Sequence, residues 1–124
     1  MTGRREKSVV AVFYRTPAGE EPVRAWLKGR VFDNEDRKVI GADIQVVEYE
    51  WPTLSDRNLV KAFGDGLWEM RSTLPSRRIA RILFGTARGQ MVILHGFIKK
   101  TQKTPATDLD LAKARWRGWR TGEP

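Results

Sequence analysis

Apolar residues recur along this chain in two spacings, and the change from one to the other divides it into elements. Ser8 to Tyr14 (Ser-Val-Val-Ala-Val-Phe-Tyr) is dense in β-branched and aromatic side chains and predicts a strand. Thr16 to Gly19 is turn material. Pro22 suits the first position of a helix, where a missing N–H costs nothing. Val23, Trp26 and Leu27 then follow at i, i+3 and i+4, and Gly29 ends the segment. Asp33 is placed to cap a second helix, whose inward stripe is Val39 or Ile40, Ile44, Val47 and Trp51. Gly41 weakens that helix by ~1 kcal/mol relative to Ala, and Pro52 stops it. Leu54 to Gly66 reads as connection, closing on a Gly-Asp-Gly turn at 64–66.

The period then falls to two. Leu67 to Ser72, Arg78 to Thr86 and Met91 to Ile98 are strand segments, the last two joined by Arg88-Gly89 as a hairpin turn. Thr104-Pro105 supplies a helix cap and a first helical residue. Asp108 and Asp110 suit the positive end of that helix's dipole, and Leu109, Ala112, Trp116 and Trp119 form its stripe. The order β-α-α-β-β-β-α defines an α+β domain, an antiparallel sheet with helices packed on it.

Composition narrows the chemistry. A chain of 124 residues makes one domain, 1–124, with 1–7 and 121–124 as flexible tails. The absence of Cys excludes a disulfide, a thiolate-held zinc and a thiol nucleophile, and a single His does not make a His-rich metal site. No apolar run approaches the ~20 residues of a membrane span. No signal-peptide run follows the basic start, so a cytoplasmic protein is expected. The formal charge is +8. Residues 1–66 hold 11 basic and 11 acidic side chains, whereas residues 67–124 hold 12 basic and 4 acidic ones. The excess therefore lies wholly in the second half, which suits a polyanionic partner.

Strand alternation sorts the second half into two faces. Trp68 and Met70 share one with Ala80, Ile82 and Phe84. Glu69 and Arg71 share the other with Ile79, Arg81 and Leu83. On the last strand, Val92, Leu94, Gly96 and Ile98 lie together, opposite Ile93, His95 and Phe97. Stacking the apolar sets under the helices leaves a solvent wall of Glu69, Arg71, Arg81, His95 and Phe97, with Lys99 and Lys100 at its edge. Guanidiniums bind phosphate through their planar fork. An imidazole moves protons near neutral pH, and an exposed ring stacks on a base. These are the parts for metal-free RNA cleavage. A ribose 2′-hydroxyl attacks its own phosphate, a base takes its proton, cations stabilise the phosphorane, and an acid protonates the leaving 5′-oxygen. Each part also has a plain structural use. Glu69 could serve a cross-strand ion pair, His95 a structural hydrogen bond, Phe97 the core and the lysines a solvated turn.

Three segments resemble a known family. They are Leu67-Trp68-Glu69-Met70-Arg71-Ser72, Arg78-Ile79-Ala80-Arg81-Ile82-Leu83-Phe84, and His95-Gly96-Phe97-Ile98-Lys99-Lys100-Thr101-Gln102-Lys103-Thr104-Pro105. With Pro22 to Leu27 and Leu111 to Arg115, they resemble the phage-derived HigB-like toxins of the RelE/ParE superfamily over about residues 9–117. The resemblance implies a RelE-like, microbial-RNase-like fold. It also implies the toxin of a type II toxin–antitoxin pair, a cytoplasmic endoribonuclease (mRNA interferase) that cuts mRNA on the ribosome and inhibits translation. Such a toxin needs no metal or other cofactor and is held inactive by a helix-turn-helix, HigA-like antitoxin. The implied catalytic set is Arg71, Arg81, His95 and Glu69, with Arg78, Phe97, Lys99, Lys100 and Lys103 binding RNA. Phe84 stands where many relatives carry Tyr. The general acid and base stay open among His95, Glu69 and a lysine. Two alternatives remain beside this reading, a ParE-like gyrase inhibitor and a non-catalytic RNA-binding prophage remnant.

Overall fold

A computed structural model describes residues 6–122. The elements are β1 (Val10–Phe13), α1 (Pro22–Lys28), α2 (Asn34–Glu50), β2 (Val60–Gly64), β3 (Leu67–Thr73), β4 (Ile79–Ala87), β5 (Gln90–Ile98) and α3 (Ala106–Gly122). The α+β class is as expected, and the arrangement is consistent with a RelE-like fold. Two features depart from the sequence reading. The connection 54–66 contains a strand, β2, and the sheet is mixed. Its order is β1-β5-β4-β3-β2, with β1 parallel to β5 and the other pairs antiparallel. β2 lacks a strong apolar signature because it is an edge strand, with Lys61 and Ala62 exposed. The turn after it is as read, with positive φ at Gly64, Asp65 and Gly66. The β4–β5 hairpin turns on Arg88 and Gly89, both also at positive φ.

The local signals for helices hold at two of three starts. Pro22 opens α1, and the Asp33 carboxylate accepts from the Asp36 N–H at 2.8 Å to cap α2. At α3 the start is displaced by one residue. The Pro105 carbonyl accepts the first helical bond, from the Leu109 N–H, while the Thr104 hydroxyl is used elsewhere. The expected tails are partly engaged too. Lys7 reaches the Glu48 carboxylate at 3.1 Å, and α3 continues through residues 121–122. The remaining tail positions, 1–5 and 123–124, lie outside the described residues.

Both faces of the sheet are covered. Met70, Ile82, Phe84 and Ile93 pack under α1 and α2 with Ile40 and Val47. Leu67, Leu83, Val92 and Leu94 pack under α3 with Ala112 and Trp116. The alternation on β5 is broken by a bulge. His95 pairs with Leu83 but Ile93 pairs with Phe84, so Leu94 is the extra residue. Ile93, Gly96 and Ile98 therefore face α1 and α2, while Val92, Leu94, His95 and Phe97 face α3. One inserted residue inverts the expected partners of Val92, Leu94 and Ile93.

Trp116 docks α3 on the sheet. Its Nε1 donates to the Asp65 carbonyl at 2.8 Å, and its ring lies flat over Gly85. A Cβ at position 85 would sit 2.6 Å from three atoms of that buried ring. Gly85→Ala is expected to cost about 1–3 kcal/mol of stability through overpacking, read as a lower urea midpoint at unchanged slope. An unaltered midpoint would mean that α3 shifts freely.

Candidate functional site

Register brings the sequence candidates into two rows on the α3 face. Arg71, Arg81 and Phe97 lie side by side across β3, β4 and β5, and Glu69, Leu83 and His95 form the next row. The rows match the expectation, but their exposure does not. The segment 99–105 and the start of α3 pass over the middle of the wall. Glu69 is fully buried and Arg81 is only 3% exposed.

Beneath that strap the buried groups form a clamp. Glu69 Oε1 lies 3.6 Å from Arg81 Nη1. The Thr104 hydroxyl donates to Glu69 Oε2 at 2.7 Å and accepts from Arg81 Nη1 at 3.4 Å. Arg81 Nη2 donates to the Gln102 carbonyl at 3.2 Å. Glu69 and Arg81 therefore do not face solvent as expected. They neutralise each other and tie the strap to the sheet floor. The clamp leaves Glu69 Oε1 and Arg81 Nε without hydrogen bonds, so it is incompletely satisfied and sensitive to any further loss.

The strap splits the predicted wall in two. On one side, Arg71 and Lys99 line a cleft of about 250 Å³ with Asp56, Asn58 and Thr73. Arg71 lies opposite Arg81 on the neighbouring strand, a pairing of like charges that is destabilising unless an anion intervenes. Glu69 and Thr104 engage Arg81 only. Arg71 Nε is buried without a partner, and no carboxylate pairs with the Arg71 guanidinium among the described residues. This cation borders the cavity without a bonded carboxylate, and Asp56 is the one acidic side chain among the described residues lining the same cleft.

On the other side of the strap, a cleft of about 610 Å³ is lined by Trp26, Phe97, Lys100, Thr101 and Asp108. His95 Nε2 lies 2.6 Å from Asp108 Oδ1, and the imidazole stacks on Phe97 with ring centres 6.0 Å apart. With Nε2 donating to the Asp108 carboxylate, Nδ1 is an acceptor in the neutral imidazole and a second donor in the imidazolium. Asp108 is a partner that sequence reasoning missed, because its place in the first turn of α3 is explained by the helix dipole alone. Thr104 was likewise read only as a cap. The clue to both is the length of the strap, which folds the start of α3 back over the end of β5.

The lysines and Arg78 divide differently. Lys99 Nζ reaches Gln102 Oε1 at 3.4 Å, and Lys103 is exposed on the strap. Arg78 does not join this site. It donates to the Val31 carbonyl at 2.6 Å and pairs with buried Asp36 at 3.1 Å, bracing the β3–β4 loop against the start of α2. Burial works to raise the Asp36 pKa, but hydrogen bonds from Ser76 and the Arg78 guanidinium outweigh it and hold the carboxyl below its ordinary value. A depressed folded-state pKa contributes stability that is present above about pH 4 and lost as pH falls through the folded value. Asp36→Asn is therefore expected to be less stable than wild type at pH 7, with the gap closing in acid. Urea midpoints measured from pH 7 to pH 3 test this, and a constant gap would count against it.

The molecule is thus a small basic α+β protein whose second half carries an unpaired guanidinium, a strapped sheet and an imidazole–carboxylate pair. The family of phage derived Gp49-like proteins matches residues 26–117, about three-quarters of the chain, and the protein belongs to that family. It is a family associated with RelE- and HigB-like toxins. No curated protein matches the chain. No helix among the described residues is long and apolar enough to cross a membrane.

Proposed function

We propose that the protein is a HigB-like toxin of a type II toxin–antitoxin pair, a cytoplasmic endoribonuclease that cuts mRNA on the ribosome and so inhibits translation. The observation that carries this reading is Arg71, which borders an open cleft with Lys99 and has no carboxylate within salt-bridge distance among the described residues. A scissile phosphate is the ligand such a pair of cations suits. In the reaction the 2′-oxygen bonds to phosphorus and the bond from phosphorus to the 5′-oxygen breaks. The products are a 2′,3′-cyclic phosphate and a 5′-hydroxyl. Arg71 and Lys99 stabilise the charge that builds on the phosphorane. His95, oriented by Asp108, is the proton-transfer candidate, and Phe97 offers a stacking surface for the adjoining base. His95 lies across the strap from Arg71, so the strap must shift for both to reach one phosphate. Arg81 and Glu69 act through the strap, as positioning residues, and Lys100 and Lys103 hold ribosomal or messenger RNA. The partner that silences the protein is a helix-turn-helix, HigA-like antitoxin.

Adding the protein to a cell-free translation reaction tests the proposal. New mRNA 5′ ends, found by primer extension and bearing 5′-hydroxyls, are the expected result. Translation that continues with intact mRNA would overturn it, and inhibition of gyrase supercoiling in the same preparation would favour the ParE-like alternative.

A further inference from the structure

A second cationic cleft lies at the far end of α3, and the chemistry above does not use it. Lys113, Arg117 and Arg120 line a cavity of about 300 Å³ floored by Phe63, Leu67 and Trp116. The three cations are spaced i, i+4 and i+7, so they share one face of the helix. All three are exposed, and none has a carboxylate partner among the described residues. Arg120 lies over the Trp116 ring at 5.0 Å, and Lys61 lies over Phe63 at 5.4 Å. Asp65 is the one acidic residue lining the cavity. The floor is rigid, because Trp116 is bonded to the Asp65 carbonyl and packed on the sheet.

This cleft and the Arg71 cleft lie on one line. Leu67 and Arg71 are four residues apart on β3, roughly 13 Å at the rise of a strand. The two cationic clefts thus lie toward opposite ends of β3, with buried Glu69 and the strap over it between them. We infer that Lys113, Arg117 and Arg120 form a second phosphate site, which grips the single-stranded RNA a few nucleotides from the position cut at Arg71. The exposed planar guanidiniums of Arg117 and Arg120 and the half-buried Phe63 ring favour a nucleic acid, which offers phosphates and stacking faces together, over an acidic peptide, which offers only charge. The inference rests on the RNA-cutting reading.

The test is fluorescence anisotropy with a labelled single-stranded RNA oligonucleotide, titrated at several KCl concentrations. Three phosphate contacts contribute about −2 to the slope of log K against log salt, at roughly −0.7 per contact for single strands. The triple variant Lys113→Gln, Arg117→Gln, Arg120→Gln is expected to be shallower by that amount and to bind at least ~10-fold more weakly at low salt. The triple variant Lys113→Arg, Arg117→Lys, Arg120→Lys is expected to keep the wild-type slope. These residues are exposed on a helix surface, and circular dichroism is the check that each variant folds. If wild type binds RNA and the glutamine variant matches it in slope and affinity, the inference falls while the proposed function stands. It falls in the same way if the variant loses binding to polyglutamate but keeps it to RNA. If wild type binds no RNA at any salt, the inference falls, and the primer-extension result in the translation reaction decides the proposed function separately.

Discussion

Glu69→Ala is expected to remove about 3–5 kcal/mol from the free energy of unfolding, because it strands a guanidinium inside the protein. Arg81 is almost wholly enclosed, and Glu69 is the carboxylate that faces it. A domain holds only about 5–15 kcal/mol in total, so the variant should sit near the edge of unfolding at 37 °C. Urea denaturation reads this directly. A loss under about 1 kcal/mol would mean that solvent, not Glu69, compensates Arg81. The double variant Glu69→Leu, Arg81→Met separates fold from function. Removing both charges together with apolar residues of similar volume restores much of the stability. The strap is then untied, since Thr104 and the Gln102 carbonyl lose their partners. RNA cleavage should therefore stay low in a protein that folds well.

Arg71→Ala is expected to behave in the opposite way. Losing a positioned cation at a developing charge typically lowers turnover by about 10²–10³-fold. Stability should be unchanged or slightly higher, because the substitution removes a like-charge neighbour of Arg81 and a buried Nε that has no partner. Single-turnover cleavage of an mRNA on programmed ribosomes gives the rate, and urea denaturation gives the stability. Arg71→Lys should recover part of the activity, as a point charge without the planar fork. Full activity in Arg71→Ala would remove this residue from the chemistry.

Much of the frame was legible because it follows from local rules. Pro22, Asp33, the Gly64-Asp65-Gly66 turn and the Arg88-Gly89 hairpin are set by backbone geometry within a few residues. Alternation placed Glu69, Arg71 and Arg81 on one face correctly. It went astray on β5, where the bulge at Leu94 leaves no mark in composition. β2 escaped notice because its pairing with β3, rather than its own pattern, makes it a strand. The largest difference concerns the wall. Periodicity says which residues share a face but not what later folds over it, and here the strap and α3 return to cover the centre. A buried ion pair and a solvent-facing basic site look alike in sequence. Likewise the Asp108 carboxylate meets His95 through a tertiary contact across 13 residues.

The pairing of β1 with β5 joins Val10 to Gln90, so the first strand must wait for most of the chain before it finds its place. Arg71, Lys99, His95 and Asp108 come from three successive parts of the second half, and the last of them belongs to the final helix. During synthesis the N-terminal portion emerges first and long-range pairings close last. A protein proposed to disable ribosomes therefore gains its full set of working groups only after β5 and α3 have emerged, and the segments made before them leave the ribosome without that set.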